Sequence, residues 1–241
     1  MSIPLQKIFI ADSSWGCGVF NDAGTVVHKG LEQFFIDIGY TVINVSAVGS
    51  SNVETLQRLD HALDENYRPG DFVFWIKSDP MEHVEINDQL VLQIKQLGSY
   101  KNFIKHTSDE TYDLVNTLAT KFDTTIYAIG GSCNLGKSKL QQLSNVVALV
   151  PSWMHLLVAE FPEYTNIESE YRISFINARL VNYIKEFAGD LDFTKNLINE
   201  LYELLSNDSI YKEDVFCPYY GHPNYHGHQI LFNHIVQELK L

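Results

Sequence analysis

The sequence predicts an α/β protein with a mainly parallel sheet covered by helices on both faces. Short strands that are apolar on both faces alternate with helical segments. Each such strand ends in small or polar residues. The 241-residue chain is also long enough, and at 45% hydrophobic residues apolar enough, to bury one large core.

The first strand is Ile8 to Ala11, with Asp12, Ser13 and Ser14 at its carboxyl end. Val27, Leu31, Phe34 and Ile38 recur at helical spacing, and Gly39 is placed to close that helix. Tyr40 to Val45 is the second strand. Ser51 and Glu54 form a capping box that opens a helix through Leu56, Leu59 and Leu63. Pro69-Gly70 makes a turn into a third, almost wholly apolar strand, Phe72 to Ile76. Ile86 to Ile94 reads as helix, and Thr107 with Glu110 is expected to cap another, through Leu114, Val115 and Leu118. Thr125 to Ile129 and Val146 to Val150 are the fourth and fifth strands. Helices are expected through Ile173, Ile176, Leu180, Ile184 and Phe187, through Leu197, Leu201 and Leu204, and from about Gln229 to Leu239. No repeat, linker or low-complexity segment divides the chain. A single domain over 1–241 is expected, with a mostly helical insertion or cap at about 151–209.

Charge and cysteine content exclude several classes. The formal net charge of -13 opposes binding to nucleic acid or to an anionic membrane surface, and the densest basic stretch, Lys137 to Lys139, is short. Cys17, Cys133 and Cys217 are odd in number and far apart, which fits a reducing compartment better than a disulfide framework. With no secretory signal and no apolar run of membrane-spanning length, the expected location is the cytoplasm. Oligomeric state leaves no mark on the sequence.

In an open α/β sheet the ligand lies outside the carboxyl ends of the strands. The first strand delivers Asp12-Ser13 there, and the second delivers Asn44 through Gly49. The third delivers Lys77-Ser78-Asp79, and the segment before the last helix brings His222-Pro223-Asn224 and Gly227-His228. These four blocks, in this order, resemble those of the SGNH (GDSL-type) hydrolases. The resemblance implies a three-layer α/β/α sandwich, with a roughly five-stranded parallel sheet like that of flavodoxin. Ser13 would be the nucleophile and His222 the base that takes its proton, since a serine hydroxyl is a poor nucleophile unaided. The backbone N–H groups of Ser13 and Gly49 would hold the oxyanion, each such donor being worth about 3 kcal/mol of barrier.

Two blocks depart from the family pattern. Ser78 stands where the family has an asparagine that donates the third oxyanion hydrogen bond, and Tyr219 stands where the acid three residues before the histidine is expected. His222 would act as half of a dyad or be oriented by an acid from elsewhere, such as Asp214. The resemblance implies an esterase or acyl hydrolase acting on a small-molecule or carbohydrate ester, without a cofactor.

Three other readings stand beside this one. Gly131 to Ser138 satisfies the phosphate-binding pattern G-x-x-x-x-G-K-[ST], in which Lys137 would hold nucleotide phosphates and Ser138 a magnesium ion. Against it, the helix that follows must end by Ser144, and Val146 to Val150 runs into Pro151 with no acid. His222, His226 and His228, with Cys217 nearby, offer imidazoles to a metal but lack acidic partners at ligand spacing. The third reading is a scaffold that has lost its chemistry and serves as a binding or structural protein. Trp15 and Cys17, beside Ser13, read as packing residues.

Overall fold

The computed structural model describes residues 6–20, 26–28, 30–78, 87–131, 135, 137–153, 156–157 and 223–241; for 19–20, 26–28 and 137–138 it describes the backbone alone. Five parallel strands form one sheet: β1 (Lys7–Ala11), β4 (Thr41–Asn44), β5 (Phe72–Lys77), β6 (Ile126–Gly130) and β7 (Val146–Val150), in the spatial order β4-β1-β5-β6-β7. A short antiparallel pair, β2 (Val19–Phe20) and β3 (Val26–His28), stands apart from it.

Alternation along each strand sends side chains to two separate cores. Phe9, Ala11, Val73, Trp75, Ile126 and Ala128 pack with α2 (Asn52–Asn66) and α4 (Tyr100–Lys121) through Leu56, Leu59, Leu63, Val115 and Leu118. Ile8, Ile10, Phe74, Ile76 and Ile129 face the other way, onto α1 (Leu31–Asp37) through Leu31 and Phe35. The closing helix, called α6 here (Tyr225–Leu239), joins that layer through Leu231 and Ile235. The result is the α/β/α sandwich that the sequence predicts. Two shorter helices complete the described elements, α3 (Asp88–Leu97) against α4 and the four-residue α5 (Lys137–Leu140).

Local chemistry fixes most element ends. The Ser51–Glu54 capping box is present in full, with Ser51 Oγ accepting from Glu54 N at 3.2 Å and Ser51 N donating back to Glu54 Oε2 at 2.9 Å. Asn224 caps α6 by accepting from Gly227 N at 3.0 Å, so this helix starts at Tyr225, ahead of the expected Gln229.

Two expectations are corrected. The helical spacing from Val27 misleads, because Val26–His28 pairs with Val19–Phe20 as a hairpin and α1 begins only at Leu31. Ile38, the last residue of that pattern, is exposed. Thr107 caps nothing. Buried Tyr100 and Phe103 carry α4 back to a cap at Ser99, whose Oγ accepts from Asn102 N at 3.0 Å, while the Thr107 hydroxyl donates to the Phe103 carbonyl at 3.1 Å within the helix. The expected helices between Ile173 and Leu204, and most of the expected insertion, lie outside the described residues.

Losing the Ser99 cap should cost about 1 kcal/mol, so Ser99→Ala is expected to lower the urea midpoint. Thr107→Ala should shift stability by less than about 0.5 kcal/mol, since its hydroxyl only bonds back within the helix. Equal losses from the two variants would restore Thr107 as a cap.

Candidate functional site

β1 is flanked by β4 on one side and β5 on the other, and the sheet order reverses there. At such a switch point the flanking connections leave on opposite faces and open a crevice beyond the strand ends. Asp12 and Ser13 leave β1 at this point, the Val45–Ser50 loop leaves β4, and Ser78 follows β5. Three of the four sequence-predicted site residues, Ser13, Gly49 and Ser78, therefore come from adjoining strand ends. The fourth, His222, lies outside the described residues, as do Asp79, Asp214, Cys217 and Tyr219.

Asp12 is the hub of the described part. Its carboxylate Oδ1 accepts from Ser13 N at 2.5 Å and from the Ser78 hydroxyl at 3.2 Å. Its carbonyl accepts from Ala47 N at 3.3 Å and from the Thr55 hydroxyl at 3.3 Å. One buried residue thus ties β1 to the Val45–Ser50 loop, to α2 and to the end of β5. Two of the three expected oxyanion donors, Ser13 N–H and the Ser78 hydroxyl, point in this structure at Asp12. Gly49 has φ +84°, a left-handed conformation that favours glycine, just past the turn-forming residue Ala47.

Sequence reasoning missed Asn52. Its side chain makes two bonds to Ser78, accepting from Ser78 N at 2.9 Å and donating to the Ser78 carbonyl at 3.0 Å. The end of β5 is thereby clamped to the first turn of α2. In the sequence Asn52 is only a first-turn residue beside a cap, with no signal of a partner 26 positions away. Asn44 works similarly on the other side. It donates to the Gly16 carbonyl at 3.0 Å and to Glu32 Oε2 at 3.1 Å, and accepts from Ser46 N at 3.0 Å.

The turn after Ser13 is packed without slack. Trp15 is buried edge-on to Trp153, with ring centroids 5.4 Å apart. A Cβ on Gly16 would stand 2.5 Å from Ser46 Oγ and 2.6 Å from Asp12 Cβ. The Cys17 thiol donates to the Ser13 carbonyl at 3.3 Å. Burial, then the negative charge of Asp12, push its pKa up to about 12, so it stays a thiol at neutral pH and is no nucleophile. Lys77 is buried beside Ser78, its ammonium 5.9 Å from the centroid of the Tyr112 ring.

His228 is fully buried and serves packing. Leu31 N donates to its Nδ1 at 3.2 Å, which puts the proton of the neutral ring on Nε2 and joins α6 to α1. Trp153 lies edge-on to it at 4.9 Å and donates to the Gly227 carbonyl at 3.1 Å. Burial lowers the His228 pKa from 6.5 to about 3, a hydrogen bond to the Gly18 backbone acting the other way. Among the described residues no group of three His, Cys, Asp or Glu could hold a metal ion. Nor is any described helix long and apolar enough to cross a membrane.

No family model matches the chain, and no curated protein matches it. Solved structures align with it over nearly its whole length at low identity. One is a lipase/acylhydrolase from Enterococcus faecalis, at 15% identity and TM-score 0.43, over 98% of this chain and 96% of that one. Another is a catalytic mutant of Axe2, an acetylxylan esterase from Geobacillus stearothermophilus, at 14% identity and TM-score 0.42, over 100% and 97%. A third is a carbohydrate acetylesterase family member from Sinorhizobium meliloti, at 10% identity and TM-score 0.44, over 98% and 100%. The class defined by the sheet itself is an open, parallel α/β sandwich, the fold expected from the SGNH resemblance, with its candidate site at the β1/β5 switch point.

Because the folded pKa of His228 is depressed, its neutral form contributes its full stability above about pH 6.5, and this is lost as pH falls toward 3. His228→Phe, which cannot titrate, should be less stable at pH 7 by about 1–3 kcal/mol for the orphaned Leu31 N–H. Its urea midpoint should then fall less steeply than the wild type's between pH 7 and pH 4. Parallel pH profiles would show that His228 is not the titrating group.

Proposed function

We propose that this protein is a serine esterase of SGNH type acting on small esters, with O-acylated carbohydrate the first substrate to try. The observation that carries the reading is the meeting of Ser13, the Gly49 loop and Ser78 around Asp12 at the switch point of the sheet. Ser13 attacks the ester carbonyl while His222 takes its proton and later returns it to the leaving alcohol. The N–H groups of Ser13 and Gly49, with the Ser78 hydroxyl, hold the oxyanion. Two of these donors, Ser13 N–H and the Ser78 hydroxyl, must first exchange Asp12 Oδ1 for the substrate oxygen. No cofactor enters this scheme.

The nucleotide-binding alternative draws little support from the helix after Gly131 to Ser138, which has only four residues. A phosphate site needs a longer helix, whose first N–H groups and dipole act together.

Hydrolysis of p-nitrophenyl acetate and labelling by a fluorophosphonate probe are expected for the wild type and absent from Ser13→Ala, with unchanged thermal melting. Lys137→Ala should hydrolyse at the wild-type rate. Hydrolysis that survives Ser13→Ala would remove Ser13 from its role, and silence of the wild type in both assays would leave a scaffold without the chemistry.

A further inference from the structure

Arg58, on α2, is half-buried, and no carboxylate pairs with it among the described residues. Its Nε–H donates to the Val45 carbonyl at 2.9 Å, and its Nη2 donates to Ser50 Oγ at 2.7 Å and to Thr55 Oγ1 at 3.3 Å. Val45 and Ser50 are the two ends of the loop that contains Gly49. Thr55 in turn donates to the Asp12 carbonyl at 3.3 Å. One rigid fork therefore spans the loop from end to end and reaches, through one hydroxyl, the residue before Ser13.

With no counter-ion among the described residues, this half-buried cation is a costly way to fill space, since the charge gives up water for neutral acceptors. A surface role would leave the guanidinium in solvent, and an ion-pair role would supply a carboxylate. Instead its hydrogen bonds go to one loop and to the helix residue beneath that loop. The loop's other ties are Val45 N to the Ile10 carbonyl at 2.8 Å, Ala47 N to the Asp12 carbonyl at 3.3 Å, Ser46 N to Asn44 Oδ1 at 3.0 Å, and its own turn bond from Ser50 N to the Ala47 carbonyl at 3.2 Å. The first three lie before Val48, which is exposed, and the turn bond shapes Val48-Gly49 without tying the turn to the rest of the protein. On the far side, Ser50 is held to the helix layer by Arg58.

We propose that Arg58 is a positioning residue of the oxyanion hole, fixing the span of the Val45–Ser50 loop and so the direction of the Gly49 N–H. This rests on the serine esterase reading of the same site. The planar fork matters as much as the charge, because a lysine ammonium is a point donor and cannot hold Val45 and Ser50 at a fixed separation.

The test is the kinetics of p-nitrophenyl acetate hydrolysis, with fluorophosphonate labelling and thermal melting beside it, for wild type, Arg58→Met, Arg58→Lys and Ser50→Ala. A donor misplaced by about 1 Å costs roughly 100-fold in rate. Arg58→Met is therefore expected to lose roughly 10- to 100-fold in kcat, with KM changed less than about twofold and an unshifted pH profile, because the donor acts in the transition state and not on the bound ester. Arg58→Lys and Ser50→Ala should each lose less, and together no more than Arg58→Met alone, as expected of residues acting through one loop. A wild type that hydrolyses and labels while Arg58→Met keeps its kcat overturns the role of Arg58 alone. A wild type silent in both assays overturns the esterase reading, and this role with it. If Arg58→Met fails to fold, full kcat in both Arg58→Lys and Ser50→Ala overturns the proposal.

Discussion

β1 is bonded in register on both sides, Ile8 to Ala11 against Phe72 to Trp75 of β5 and Lys7 to Ile10 against Thr41 to Asn44 of β4, and the rest of the molecule follows from that. The fully buried stretch Ile8–Ala11 carries no charge, and the polar residues Asp12 and Ser13 follow together at its carboxyl end. Because the sheet grows away from β1 in two directions, the loops beside that end cannot close over it from one side. The burial of Phe9 and Ala11 under α2 and α4, and of Ile8 and Ile10 under α1 and α6, holds the strand where its last residues open onto the crevice.

Much of this was legible in the sequence because it is written in short-range chemistry. Apolar runs marked all five strands of the sheet to within about one residue of their ends, and β7 at both ends. The Ser51–Glu54 capping box signalled its own helix start. The errors came where tertiary contacts outweighed a local signal. Val27 has helical spacing to Leu31 but pairs across a hairpin, and Thr107 with Glu110 has the form of a cap but sits inside a helix extended by the burial of Tyr100 and Phe103. At the site, sequence order suggested which strand ends would meet. It could not suggest the groups that join them, Asn52 to Ser78 or Thr55 to Asp12, since a side-chain bond between distant positions has no local pattern.

Asp12 and Ser78 show how a serine is accommodated where the resemblance leads one to expect an asparagine. A serine is too short to reach where a longer amide would, and here its hydroxyl turns to the neighbouring carboxylate while Asn52 takes hold of its backbone. Ser13 N–H, the Ser78 hydroxyl and the Ser78 backbone thus already have partners within the protein. Such a network is rigid, because each member left unpaired in a low-dielectric setting would be costly. Any ligand that enters has to offer hydrogen bonds at least as good as those it displaces.

Gly16 gives the site an asymmetry that bears on its history. Its Cα lies where any side chain would run into Ser46 and Asp12, and a Cβ on Gly131 would likewise stand 2.9 Å from the Lys77 carbonyl. At both positions a side chain would have to displace a close neighbour, side chain at Gly16 and backbone at Gly131, so substitution there is disfavoured. Val48 and Val53, by contrast, are exposed. Selection for a different ligand, natural or in a laboratory library, would find its tolerated changes at such positions, while codons 16 and 131 stayed silent.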